Sequence, residues 1–390
     1  MRVFQRKGGK ATSPCDRSAS VCHIAGAGCR TPGGYPEDMV SGRPESASGN
    51  QPGELDVIRQ IRARAGRNAG NGIRLGIGDD CALIRPRPGE EIAITTDLSI
   101  AGRHFRLDWH PPESIGHRAL ARGLSDLAAM GARPIAAFLS LGLPRQLAKF
   151  SIRAKEGRKK GTPQKSWLDR FLDGVLALAD AHKTPLAGGD LSESPIALAD
   201  IVLIGAVPRG KALLRSGARP GDLLYVTGSL GGAAAGLAQL SELAAASSRA
   251  PRIPQELSQQ LAPHLYPQPR IAQGLWLQRH SLVSAALDIS DGLSTDIAHI
   301  CEESRVAAEV DASLLPIHPS ATLDQALHGG EDYELLFTAP AKTRIPKAIA
   351  CVPITRIGRI VSRGRNHPPV TLITHKSSEP LEPKGWEHFS

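Results

Sequence analysis

Residues 76–105 read GIGDDCALIRPRPGEEIAITTDLSIAGRHF. Two polar clusters, Asp79-Asp80 and Thr95-Thr96-Asp97, stand at the ends of apolar runs. CALI (81–84) and EIAIT (91–95) read as two short strands. PRPG between them reads as a turn, because Pro fixes φ and Gly tolerates positive φ. A hairpin would fold its ends together and bring Asp80 beside Thr96 and Asp97. The result would be a knot of hard oxygen donors, which suits Mg²⁺ better than Zn²⁺.

Working outward, strands and helices alternate on both sides of this stretch. ELDVIRQIRARA (54–65) has helical spacing at Leu55, Ile58 and Ile61. PPESIGHRALARGLSDLAAMGA (111–132) opens with Pro and Glu and has Gly131 near its end, as a helix should. PIAAFLSLGLP (134–144) and ALADIVLIGAV (197–207) read as strands, and WLDRFLDGVLALADAH (167–182) as an amphipathic helix. TPLAGGD reads as a segment ending in a Gly-Gly-Asp turn at 188–190. GARPGD (217–222) marks a composition break. Beyond it come the strand LLYVTG, a Gly-rich turn, the helix GLAQLSELAAA and a polar loop at 246–260. SAALDIS (284–290), AAEVDASLLP, the segment after GGED (329–332) and ITRIGRIV read as further strands. The expected fold class is α+β, with two α/β domains of mixed sheets covered by helices. The expected boundaries are a disordered extension over 1–50, an N-terminal domain over 51–212 with a basic insert near 151–166, and a C-terminal domain over 213–390.

At 390 residues the chain exceeds one ordinary core, which agrees with two domains. It has no run of eighteen apolar residues, so no membrane helix is expected. The first fifty residues are rich in Gly, Ser, Pro and Arg, and Met39 is an alternative start. Cys15, Cys22 and Cys29 recur every seven residues, a spacing that matches no standard zinc pattern. Cys81, Cys301 and Cys351 lie in apolar runs and read as buried thiols, which fits a reducing, cytoplasmic setting. The net charge of +9 is concentrated in residues 1–50, at +3, and 145–170, at +7, leaving about −1 for the rest. A nucleic-acid binder should carry that charge on its folded face with aromatics interleaved, and aromatics are only 4% here.

The acids carry the chemistry. Asp80, Asp97, Asp190, Asp288, Asp291 and Glu331 all fall at expected strand ends or in Gly-containing turns, and Asp126 falls inside a helix. Each has an ordinary reading on its own. Ser290 or Asp291 can cap the following helix. Asp126 can pair with Arg122 one turn earlier, worth only ~0.3–0.5 kcal/mol. Together they point elsewhere, because strand ends in one layer converge. Two carboxylates ~4 Å apart at an effective dielectric of ~20 repel by about 4 kcal/mol. Five or six in one cleft need cations, and Mg²⁺ bridging them to a polyphosphate relieves the repulsion. The pattern predicts a metal-dependent phosphoryl-transfer or nucleotide site. GxxxxGK[ST] and the kinase HRD and DFG motifs are absent. Arg215 either meets a phosphate or caps a helix.

GIGDDCA, TTD with GRHF, LSDLAAMGA, GGD, LLRSGARPGD, VTGSLGG, LDISDGLSTD and GGEDYELLFT follow one another in the order seen in the thiamine-monophosphate kinases. The chain resembles that family over about residues 54–390. It is similar, more distantly, to aminoimidazole-ribonucleotide synthetase and selenophosphate synthetase, and GGEDYELLFT with the closing KGWEHF favours the thiamine family. The resemblance implies the aminoimidazole-ribonucleotide synthetase fold, a homodimer whose N-terminal sheets join into a barrel, and transfer of the ATP γ-phosphate to thiamine monophosphate with several Mg²⁺ ions. It implies Asp80, Thr95, Thr96, Asp97, Asp126, Asp190, Asp288 and Asp291 as metal ligands. It implies Gly189, Asp190, Arg215 and Ser290 as ATP contacts, and His104, Glu331 and Trp386 as contacts to thiamine monophosphate. Asp126, Asp190 and Arg215 would carry the catalysis. The tail, the insert near 151–166 and Ala101, where an acid is common, depart from the family pattern. The rival expectations are another ATP-dependent synthetase of the superfamily and a basic nucleic-acid-binding protein.

Overall fold

The structure is a computed structural model. It describes residues 54–65, 72–149, 165–246, 253–364 and 368–386. The expected extension over 1–50, with Met39 and three of the cysteines, and most of the basic insert lie outside the described residues.

The N-terminal half runs α1 (Glu54–Ala65), β1 (Ile73–Leu75), β2 (Leu83–Ile84), β3 (Glu90–Ile100), α2 (Pro112–Ala129), β4 (Arg133–Leu143), α3 (Trp167–Ala181), β5 (Leu186–Glu193) and β6 (Leu198–Pro208). Its four-stranded sheet has the order β3-β6-β4-β5, antiparallel except for the parallel β4–β5 pair. The expected hairpin does not form. Residues 81–84 supply only the two-residue β2, which pairs with β1. β3 has eleven residues and finds in β6 a partner of equal length, in register from Glu90↔Pro208 to Ile100↔Leu198. A full-length ladder satisfies far more backbone groups than a two-residue one. Thr95, Thr96 and Asp97 therefore lie inside a strand rather than at its end. The expected Gly-Gly-Asp turn is likewise part of a strand, β5. Gly189 (φ +147) lets β5 come close to β4, since a Cβ there would lie 1.9 Å from the Leu139 carbonyl oxygen.

One face of this sheet carries α2, and α3 packs against α2. α3 is fixed at its start by a capping box between Ser166 and Asp169. α2 is buried along most of its length, with Leu120, Leu124 and Leu127 in the core.

The C-terminal half runs β7 (Asp222–Thr227), α4 (Gly232–Ala245), α5 (Ser258–Leu265), α6 (Ile271–His280), β8 (Ala285–Asp288), α7 (Leu293–Ser304), β9 (Ala307–Asp311), α8 (Leu323–His328), β10 (Leu335–Pro340), β11 (Ala348–Ile349), β12 (Val352–Val361), β13 (Val370–Ile373) and β14 (Ser378–Pro380). Its strands follow the order β14-β13-β9-β12-β7-β10-β8, with β13–β9 parallel and β11 attached to β12. The polar loop after α4 is shorter than expected, because a 3₁₀ turn begins at Gln255 and α5 at Ser258. The largest core is continuous across both halves, joining Leu120 and Leu124 to Leu277, Leu335 and Phe337. α6 approaches α2 closely, for a Cβ on Gly274 would lie 2.0 Å from the Ala128 carbonyl oxygen.

Of the three cysteines read as buried, only Cys301 is. Cys81 sits in the bend before β2 and Cys351 in the left-handed turn (φ 64) between β11 and β12, so both are exposed. Among the described residues, no helix is long and apolar enough to cross a membrane.

Candidate active site

A cavity of about 540 Å³ opens between the two halves of the fold. α2 supplies one wall through Arg118, Arg122 and Asp126. Their spacing of four places them along one helix face. Asp97 reaches the cavity from β3, Asp288 from the end of β8, and Ser290 and Asp291 from the turn before α7. His104 comes from the loop after β3, Glu331 from the turn before β10, and Trp386 from the C-terminal segment.

The acids crowd together. The Thr95 hydroxyl donates to Asp126 Oδ2. Asp97 Oδ1 lies 3.5 Å from Arg122 Nε, while its Oδ2 is buried without a hydrogen-bond partner among the described residues. Burial, and then the neighbouring Asp126, push the Asp97 carboxyl up to about 6. Burial also raises Asp126, against the pull of Thr95, Arg215 and Arg122. Asp288 is buried and accepts from the Ser125 hydroxyl at 2.6 Å; burial and Asp126 push it up to about 7. Behind it, Asp296 Oδ2 accepts the amide N–H groups of Ser290, Asp291 and Gly292 at 3.1–3.2 Å and so shapes that turn. Burial, Asp288 and Asp291 push Asp296 up to about 8. Ligand atoms of Asp291, Asp296 and His299 lie within 4.8 Å of one another. Crowded carboxylates raised together, one of them with an unpartnered oxygen, form a hard donor set that fits a divalent cation.

The rest of the lining is different in kind. The Ile100 amide donates to His104 Nδ1 at 3.1 Å, which fixes the ring. Trp386 is 53% exposed, and its own amide donates to the Asp291 carbonyl at 3.1 Å. Glu331 takes a left-handed backbone (φ 66), as does Tyr333 (φ 51). Both carboxylate oxygens of Glu331 accept from Arg118 Nη2 at 2.6 Å.

The cavity thus gathers Asp97, Asp126, Asp288, Ser290, Asp291, His104, Glu331 and Trp386. It does not gather the others. Thr95 stands behind Asp126 through its hydrogen bond. Thr96 faces the other side of the sheet, because side chains alternate along β3 and Thr95 and Asp97 occupy the inner face. Asp80 sits on an exposed bend with its amide on Asp79 Oδ1 at 2.9 Å. Gly189 and Asp190 are exposed on β5. Arg215 is exposed in the segment before β7, close enough to Asp126 for its charge to be felt there. The ordinary alternative for Asp126 was a pair with Arg122, but the ion pair of Arg122 is with Asp97.

Arg118, His110, His264 and Tyr333 line the cavity without having been singled out by the sequence. The fourfold spacing of Arg118, Arg122 and Asp126 was the one available signal.

Residues 78–207 match the family described as AIR synthase related protein, N-terminal domain, and residues 219–369 match the corresponding C-terminal domain. Over 353 residues the chain is 37% identical to the thiamine-monophosphate kinase of Escherichia coli (strain K12), spanning 87% of this chain and 98% of that one. The chain belongs to the thiamine-monophosphate kinase family. The Bacillus subtilis (strain 168) thiamine-monophosphate kinase is 32% identical over 347 residues, spanning 86% of this chain and 99% of that one. The crystal structure of the Stenotrophomonas maltophilia K279a thiamine-monophosphate kinase is 38% identical with a TM-score of 0.65, covering 81% of this chain and 95% of that one. AaThiL complexed with AMPPCP and TMP is 28% identical with a TM-score of 0.63, covering 86% and 97%. Membership of the thiamine-monophosphate kinase family accounts for the two mixed-sheet halves and their AIR synthase fold.

Proposed function

We propose that the protein transfers the γ-phosphate of ATP to the phosphate of thiamine monophosphate, giving thiamine diphosphate and ADP, with Mg²⁺ bound by its acids. The observation that carries this is the cavity of a thiamine-monophosphate kinase family chain in which crowded acids share one lining with His104, Glu331 and Trp386. A related protein has been solved with AMPPCP and TMP together, an ATP analogue and a second small ligand. The superfamily-synthetase and nucleic-acid readings have no such support.

Asp97, Asp126, Asp288 and Asp291 are the proposed metal ligands inside the cavity, with Thr95 orienting Asp126. Mg²⁺ there would neutralise charge on the transferring phosphoryl group. The acceptor is a phosphate oxygen, largely ionised near neutral pH, so no general base has to create the nucleophile. The work left to the protein is positioning and charge neutralisation. Arg122, loosely paired to Asp97 at 3.5 Å, is placed to face a phosphate. Ser290, at the turn before α7, is proposed as an ATP contact. Glu331 is proposed to face the cationic ring of the acceptor, and Trp386 to stack on it. Asp80, Thr96, Gly189, Asp190 and Arg215 lie outside the cavity lining. Their roles rest on the family resemblance, and substitution decides them.

We also propose a homodimer. β3 is an edge strand whose outer face exposes Ile92, Ile94 (63%) and Leu98, and an unpaired apolar edge invites a second copy. Two domains, 51–212 and 213–390, and a cytoplasmic setting complete the proposal. The test is an assay of the purified protein with ATP, Mg²⁺ and thiamine monophosphate. Formation of ADP and thiamine diphosphate is expected. A folded protein that forms neither ends the reading.

A further inference from the structure

Behind Glu331 lies a buried group that the proposed chemistry does not use. Arg118 is buried in α2, and its Nη2 holds both oxygens of Glu331 at 2.6 Å. Its Nη1 lies 2.9 Å from His264 Nε2 and 3.1 Å from His110 Nε2. The two Nε2 atoms are themselves 3.0 Å apart. His110 comes from the loop before α2 and His264 from α5, so the guanidinium is held from two separate elements.

An arginine has no lone pair to give and cannot be deprotonated, so a ring nitrogen that bonds to it must accept from it. That requires neutral rings. Burial first, and Arg118 second, hold His110 down to about 4 and His264 well below the ordinary value. Between the two Nε2 atoms one proton must be shared as a hydrogen bond. If it belongs to His110, that ring donates to His264 Nε2, which also accepts from Arg118; the Arg106 amide at 3.1 Å then finds a lone pair on His110 Nδ1, and His264 carries its proton on Nδ1. That Nδ1 is buried, has no hydrogen-bond partner among the described residues, and lies 3.7 Å from Glu331 Oε2. The opposite assignment would let His110 Nδ1 donate to the Arg106 carbonyl at 3.2 Å, but it would aim a bare lone pair of the buried His264 at the carboxylate. The first arrangement is therefore the favourable one. It leaves a donor pointing at Glu331 from a distance too long for a hydrogen bond.

We infer that Arg118 and His264, with His110, are positioning residues that fix the Glu331 carboxylate for the acceptor and leave ATP binding untouched. This rests on the thiamine-monophosphate reading, since it assigns the clamp to the acceptor's cationic ring. A carboxylate held by two hydrogen bonds from a guanidinium that is itself pinned cannot swing toward bulk water. It presents a fixed negative edge to a cation in the cavity. A neutral His264 behind the arginine adds an acceptor without adding charge, so the pair stays balanced.

The experiment measures KM for thiamine monophosphate and KM for ATP separately in His264→Leu, His264→Gln, Glu331→Gln and the double variant His264→Leu/Glu331→Gln. His264→Leu removes the acceptor for Arg118 and should raise KM for thiamine monophosphate by about tenfold, the scale of a lost charged hydrogen bond. KM for ATP should stay within about twofold, the spread expected of an uncoupled site. In His264→Gln the amide oxygen can stand where Nε2 stood and should restore most of the loss. In the Glu331→Gln background, His264→Leu should add nothing further, because it acts through Glu331. A parallel rise in both KM values, no rescue by Gln, or a full His264→Leu effect without Glu331 overturns the inference. If His264→Leu does not fold, Arg118→Lys carries the same test, since an ammonium lacks the planar fork that spans the carboxylate and His264 together. Absence of turnover in the wild type removes the inference together with the proposed function. Wild-type turnover with an unmoved acceptor KM in His264→Leu removes the inference alone.

Discussion

Without divalent cations, Asp97→Asn should make the protein more stable, not less. The fold holds the Asp97 carboxyl at about 6 instead of the ordinary 3.8, through burial and then through Asp126. A folded-state value above the unfolded one means that the acid contributes stability in its protonated form. That contribution is complete below about pH 4 and is lost as pH rises through about 6. Ionised at about pH 8, Asp97 costs ~3 kcal/mol relative to a neutral group, at ~1.36 kcal/mol per pKa unit. At about pH 4.5 most of this is recovered, leaving a cost of ~1 kcal/mol. Asn matches the shape of the protonated acid and leaves the same buried atom without a partner, so that penalty cancels in the comparison. Comparing two variants at each pH also cancels the buried histidines. The assay is urea unfolding in a chelator at the two pH values. The variant should exceed wild type by ~2–3 kcal/mol at about pH 8, and the gap should shrink by about two-thirds at pH 4.5. Adding Mg²⁺ should narrow the gap at pH 8, because wild type, with all four proposed ligands, binds the ion more tightly than the variant. A variant less stable than wild type in chelator at pH 8, or a gap that widens on acidification, would refute this account of the acidic cluster.

Asp126→Asn should lower turnover by about a hundred- to a thousandfold, as for removal of a group that stabilises transition-state charge, while melting in chelator stays equal or rises; steady-state kinetics and calorimetry check both. Ile94→Asp places a charge on the exposed face of edge strand β3; light scattering should find a monomer where wild type is a dimer, and an unchanged mass would remove that face as the interface. Trp386→Ala should raise KM for thiamine monophosphate several-fold, the loss of about 0.5–1 kcal/mol of ring contact, with KM for ATP unmoved.

How legible all this was depended on distance along the chain. Asp288, Ser290 and Asp291 were readable because strand, turn and helix follow one another within ten residues, and the structure keeps that order. Asp97 was found for a partly wrong reason. The sequence suggested a hairpin end, whereas β3 runs on to Ile100 because β6 matches its full length more than a hundred residues later. That same extension fixed the alternation which turns Thr96 away from Asp97. The Arg118 cluster was invisible, since its partners His264 and Glu331 lie 146 and 213 residues away. A lone histidine in PQELSQQLAPHLY carries no sign of an arginine waiting on another helix. Cys81 and Cys351 misled because an apolar neighbourhood in sequence can still be a turn at the surface.

The central claim is that the cavity passes a phosphoryl group directly from ATP to a phosphate acceptor. ATP labelled at the γ-phosphorus, incubated with thiamine monophosphate, Mg²⁺ and the purified protein, tests it most directly. The label is expected in the terminal phosphate of thiamine diphosphate, in a one-to-one ratio with the ADP formed. Label appearing as inorganic phosphate, or remaining in ATP while the protein is folded and Mg²⁺ is present, would contradict it.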